Sequence, residues 1–193
     1  MQVMDEKKRL KILSVAAQQF ASQPFHKVRL SDVADAAGVG KGTLYTYFRS
    51  KNDLYLSVLY SGFTRLLETL RNRMSESALN SLETLEMAIS QMVQFAYDHP
   101  HLFELMRTNS VKETFGSSGW GRKRAELRSL LESIIRQGIQ QGDFTDAYPD
   151  LTARFIPGLV RSVMIEPVPR VGLKTLSTHI FHFVTAAIAA EKK

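Results

Sequence analysis

Apolar residues recur along nearly the whole chain at steps of three and four, the spacing that lines up one face of an α-helix. No segment shows the sustained alternation of a half-buried strand, so the pattern predicts an all-α fold of about nine helices. The first helix is expected over residues 5–22, with Leu10, Leu13, Ala17 and Phe20 on its apolar face, Asp5 and Glu6 at its positive end, and Pro24 closing it. A short second helix carries Val33, Ala34 and Ala37, with Ser31 as its cap and Gly38 as its stop. A third runs over 41–48. Ser50 caps a long fourth over 51–73, where Leu56, Phe63 and Leu70 keep helical spacing. Beyond the polar stretch 75–81, helices are expected over 82–97, 100–113, 120–140, 149–165 and 172–190, separated by Gly, Pro, Ser and Asp clusters.

Residues 30–54, LSDVADAAGVGKGTLYTYFRSKNDL, hold the most informative local pattern. Ala34 supplies a small residue for a close helix crossing, Gly38 a residue free to turn, and Leu44 an apolar anchor beneath the next helix, which are the needs of a helix-turn-helix. At about 100° per residue, Leu44 and Phe48 share one face of the third helix, and Gly42, Thr43, Tyr45 and Thr46 spread over the other. Lys41 at the head of that helix and Lys51 at the head of the next are expected to meet phosphate, Tyr45 and Tyr47 to donate hydroxyls to phosphate or pack on sugar, and Gly42, Thr43 and Thr46 to lie closest to base edges.

Charge sharpens this picture. The net charge is +6, and residues 1–53 hold nine Lys or Arg against five acids, leaving four of those positive charges at the front. The basic front ends near residues 53–56, inside the fourth helix, so the chain is expected to divide into a helix-turn-helix domain over 1–53 and a larger helical body over 54–193. The absence of cysteine excludes disulfides and thiolate chemistry. With no long apolar run and no secretory pattern at the N-terminus, a cytoplasmic location off the membrane is expected.

The run Ala37-Gly38-Val39, then Gly42-Thr43-Leu44-Tyr45, Tyr47-Phe48, Ser50-Lys51 and Asp53-Leu54 resembles the TetR (tetracycline-repressor-like) family of transcriptional regulators. The resemblance implies three N-terminal helices that bind double-stranded DNA, a larger domain with a small-molecule cavity, and a homodimer formed by the last two helices. Such proteins usually have Thr where this chain has Val28, which shifts a phosphate contact to Arg29 or Ser31, and often Ser where this chain has Gly40, which leaves the third helix without a side-chain cap.

In the larger body, Phe63, Met92, Phe95, Phe103, Met106, Trp120 and Phe155 are candidates to line a cavity or simply to fill the core. Leu173, Leu176, Ile180, Phe183, Ala187 and Ala190 follow the seam spacing of packed helices, as Phe155, Ile156, Leu159 and Val163 do on the preceding helix. Spacing alone fits an internal seam as well as one between subunits. The resemblance favours a dimer interface through Phe155, Leu159, Val163, Leu176, Ile180, Phe183 and Ala187. Pro157 removes a backbone donor in mid-helix and is expected to kink it. His99 with His101 and His179 with His182 lack a third ligand at metal spacing, so neither metal nor cofactor is expected, and His99 reads as a helix-end residue. Residues 116–121 lack the Lys and Ser/Thr ending of a phosphate-cradling loop and read as a flexible connection.

The function expected is a ligand-responsive repressor, not an enzyme, released from a palindromic operator by a small, largely apolar effector. The alternatives are an effector-independent DNA-binding adaptor or architectural protein whose C-terminal domain binds a protein partner, and a helical enzyme. For the enzyme the chain offers no nucleophile-base pairing.

Overall fold

The computed structural model describes residues 5–75, 80–99, 101, 110–165 and 171–189, without the side chains of 110–118 and 165. Among these residues the protein is all-α: α1 (Glu6–Ser22), a 3-10 turn (Phe25–Lys27), α2 (Leu30–Ala37), α3 (Lys41–Tyr47), α4 (Lys51–Ser75), α5 (Ser81–Asp98), α6 (Ser110–Gln141), α7 (Pro149–Ile165) and α8 (Leu173–Ile188). Eight α-helices are thus described where about nine are expected. Most of the helix expected over 100–113 lies outside the described residues, and its last four positions belong to α6.

Several helix ends follow from their capping chemistry. The Asp5 carboxylate accepts from the amides of Lys7 and Lys8, satisfying donors that the first turn of α1 leaves free. At the head of α4, Ser50 Oγ accepts from Asp53 N at 3.1 Å, and the Asp53 carboxylate accepts from Arg49 N at 2.8 Å. Gly38 ends α2 at φ 66°, and Gly38 N and Val39 N return to the carbonyls of Asp35 and Ala34 in a Schellman closure that needs a left-handed residue.

Three local expectations are corrected. The buried face of α1 is Ile12, Leu13, Ala16 and Phe20, whereas Leu10 is 54% exposed and Ala17 only half-buried. The face is rotated because α1 packs into the angle between α2 and α4, which fixes its orientation more tightly than its own apolar tally. Ser31 is not the cap of α2: the helix starts at Leu30, and the Ser31 hydroxyl donates instead to Asp32 Oδ1. Residues 116–121 form no loop, because α6 continues through them. Glycine in a helix costs about 1 kcal/mol each, and packing of the adjoining Trp120 (5% exposed) and Leu127 (4%) into the core offsets that cost.

α4 joins the front to the rest. Tyr55, in its second turn, meets the rings of Phe20 and Phe25, and Phe63, two turns on, meets Phe95 of α5 and Trp120 of α6. α5 is packed by α4, α6, α7 and α8, and the buried apolar residues form one continuous cluster from α1 to α8. Gly138 of α6 shows why the α6–α7 connection needs its sequence. The Phe144 ring lies directly on its Cα, where any Cβ would overlap it, while Asp143 N and Phe144 N both donate to Gly138 O. Among the described residues no helix is long and apolar enough to cross a membrane.

Candidate DNA-binding surface and effector cavity

Leu44 is fully buried and Phe48 is 2% exposed, so α3 is fixed inward along that edge. Lys41, Gly42, Thr43, Tyr45 and Thr46 are exposed, with Tyr45 at 45%. The helix thus presents a surface of small, hydroxylic and aromatic groups, the kind that enters a DNA groove and meets base edges. Thr46 Oγ1 donates to Gly42 O at 3.1 Å, which leaves its oxygen lone pairs and methyl group outermost. Tyr47 is half-buried, and its hydroxyl accepts from Asp5 N at 3.1 Å, tying α3 to the start of α1 with its own proton still to donate. Arg29 is exposed and Ser31 half-buried, while Val28 is 1% exposed and belongs to the core. Gly40 holds the cap position of α3 with no side-chain bond, as its lack of a side chain requires.

Lys51 corrects an expectation. Its ammonium donates to the carbonyls of Phe25 at 2.8 Å, His26 at 3.3 Å and Val28 at 3.0 Å, and lies 4.5 Å from the Phe25 ring centroid. All three donors are turned inward. The residue clamps the 3-10 turn that leads into α2 and has no donor left for a phosphate.

The cavity between α4, α5, α6 and α7 has a volume of about 290 Å³. Phe63, Met92, Phe95 and Trp120 line it, with Pro157 at its edge. Phe103 and Met106 lie outside the described residues. Phe155 is corrected: it is 63% exposed and points away from the cavity, because its neighbour Ile156 occupies the inward position of α7. Sequence reasoning missed Arg124, Arg154 and Arg161, which reach the cavity from α6 and α7. Positions 154 and 161 are seven apart with Pro157 and Gly158 between, a same-face signal visible in the sequence.

On the outer side of α7 and α8, Leu159, Val163, Leu176, Ile180 and Phe183 line a shallow apolar groove of about 150 Å³. Phe155, Phe183 and Ala187 are exposed beside or within it, whereas Ile180 is 5% exposed and already spends most of its surface on its own core. His99 is the residue after α5, with its ring 4.8 Å from that of Phe95 and 6.5 Å from that of Tyr55. Burial pushes its pKa below the ordinary value; Asp98 pulls it up and Arg65 pushes it down further. Burial likewise raises the Tyr55 phenol. Among the described residues no group of three potential metal ligands converges.

Comparison with known proteins bears on both regions. The family model for bacterial regulatory proteins of the tetR family matches residues 12–58, and the model for a tetracyclin repressor-like C-terminal domain matches residues 78–165. The chain is 28% identical over 146 residues to the HTH-type transcriptional regulator YhgD of Bacillus subtilis, covering 74% of each chain. It is 28% identical over 153 residues to the HTH-type transcriptional repressor KstR2 of Rhodococcus jostii, covering 77% of this chain and 74% of that protein. The crystal structure of the regulator FadR from Bacillus subtilis in complex with stearoyl-CoA shares the fold at a TM-score of 0.68 and 20% identity, over 91% of this chain and 97% of that one.

Proposed function

Given that the chain belongs to the tetR family of bacterial transcriptional regulators, we propose that it is a repressor that leaves its operator when a small effector enters the cavity beside α5. The division of labour proposed is DNA binding by residues 1–53 and effector binding with dimerisation by 54–193. The observation that carries the reading is the exposed side of α3, from Gly42 round to Thr46, held outward by the burial of Leu44 and Phe48. Arg29, Ser31, Lys41, Tyr45 and Tyr47 surround it as the candidates for backbone contacts. Two copies joined through the α7–α8 groove, with Phe155, Leu159, Val163, Leu176, Ile180, Phe183 and Ala187 at the contact, would offer two recognition helices to a pseudo-palindromic site about 34 to 36 Å, or a multiple of a DNA turn, apart. A repressor among the relatives and a structural neighbour solved with stearoyl-CoA support repression and a small-molecule effector.

Coupling follows from α4, which packs on α1 at one end and on Phe95 and Trp120 around the cavity at the other. An effector that fits only one tilt of α4 changes the separation of the two α3 helices and thereby the affinity for DNA, and DNA in turn weakens the effector to the same degree. The test is footprinting of the protein on DNA upstream of its own gene, with and without cell extract. Protection that the extract removes supports the reading. Unchanged protection by Tyr45→Ala and Thr46→Ala would overturn the site assignment, and protection that no extract alters would favour an effector-independent adaptor.

A further inference from the structure

The cavity has an apolar floor and a cationic mouth, and the two halves suit different parts of one molecule. Phe63, Met92, Phe95 and Trp120 form the floor. Arg124 comes to the mouth from α6, and Arg154 and Arg161 come from positions two turns apart on one face of α7. All three arginines are exposed, and no described lining residue is acidic. Glu126, two residues after Arg124, is held instead by Arg71 and Lys123. Three like charges around an apolar opening repel one another and raise the local concentration of anions.

Resting on the effector reading above, we propose that the ligand is an amphiphilic anion, with an apolar tail in the cavity and a carboxylate or phosphate head held at the mouth by Arg124, Arg154 and Arg161. The guanidinium fork matches both head groups through paired charge-assisted hydrogen bonds. Tail length follows from volume: about 290 Å³ is about twice the ~150 Å³ cavity that takes up benzene, which corresponds to roughly ten carbons. A neutral molecule with the same tail fills the floor and leaves the three charges uncompensated.

The full chain is titrated with decanoate, decyl phosphate and decanol, and binding is read from the fluorescence of Trp120, the one tryptophan of the sequence, which lines the cavity. At least one anion is expected to bind about tenfold or more tightly than decanol, and the better of the two identifies a carboxylate or a phosphate head. Arg154→Gln with Arg161→Gln removes that preference while decanol binds as before, and Arg154→Lys, which keeps the charge without the fork, retains part of it. Thermal unfolding reports whether the doubly substituted chain folds; if it does not, Arg124→Gln on the other helix is expected to reduce the preference about fivefold by itself. The proposal is overturned if decanol binds as tightly as both anions, if the folded variants keep the preference, or if none of the three compounds binds. Operator binding is read separately by fluorescence anisotropy on the unmodified protein, so failure to bind DNA, which would sink the regulator reading, is distinguishable from failure of head-group selection.

Discussion

Replacing Lys51 with methionine keeps the apolar stem and removes the ammonium, which separates a structural clamp from a phosphate contact. The ammonium has three carbonyl partners at 2.8, 3.3 and 3.0 Å, and the bonds to Phe25 O and Val28 O are partly buried. Charge-assisted bonds contribute about 1.5–3 kcal/mol each when buried, and partial exposure reduces that to about 1 kcal/mol here. With about 1 kcal/mol for each of those two bonds, about 0.5 kcal/mol for the exposed bond to His26 O and about 0.5 kcal/mol for the Phe25 ring at 4.5 Å from the ammonium, the loss is about 3 kcal/mol. For a chain of this length that corresponds to a fall in Tm of roughly 6–12 °C. A lost phosphate contact would instead lower the slope of log K against log salt by about 0.9 for each site. Thermal unfolding of Lys51→Met and operator binding across a salt series therefore decide between the roles. The structure predicts a lower Tm and, at a temperature where the variant is folded, an unchanged slope. A slope reduced by about 0.9 with Tm held within about 1 °C would refute the clamp.

Gly138→Ala should lower stability by about 1–3 kcal/mol, since the new methyl must displace the Phe144 ring, and Phe144→Leu in the same chain should recover part of the loss in a thermal melt. His99 should make the protein less stable in mild acid. Burial disfavours its imidazolium, so the unfolded chain takes up a proton first as pH falls below the ordinary 6.5, and the contribution is lost as pH drops from there through the lowered folded pKa. Denaturant melts of the parent and His99→Gln should diverge above that window and converge below it. Phe183→Glu, at a position 61% exposed, should shift the protein towards monomer in analytical ultracentrifugation and weaken operator binding; an unaltered dimer would place the interface elsewhere.

The features legible in the sequence were those written in local chemistry. Gly38 had to turn, Ser50 had to start a helix, and the spacing of Leu44 and Phe48 set which side of α3 faces outward. Features decided by distant partners were not legible. The α1 face rotated from Leu10 to Ile12 because two other helices bracket it, and residues 116–121 stayed helical because Trp120 is drawn into a core assembled from α4 and α5. Lys51 could be recognised as a cation, but only the path of the chain shows that its partners are carbonyls more than twenty residues upstream. The arginine mouth was half visible: Arg154 and Arg161 share a face by spacing, and Arg124 joins them only once α6 packs on α7.

Contact between the outer side of α3 and DNA can be tested directly, because the chain contains no cysteine. Thr43→Cys and Thr46→Cys each place one thiol on that surface, and Glu83→Cys places one at an exposed position in the first turn of α5 as a reference. Maleimide labelling is timed with and without operator DNA. Ready labelling is expected of all three free proteins, with slowing by operator at positions 43 and 46 alone, in proportion to occupancy. Equal rates with and without DNA at those two positions, while operator is bound, would rule that contact out.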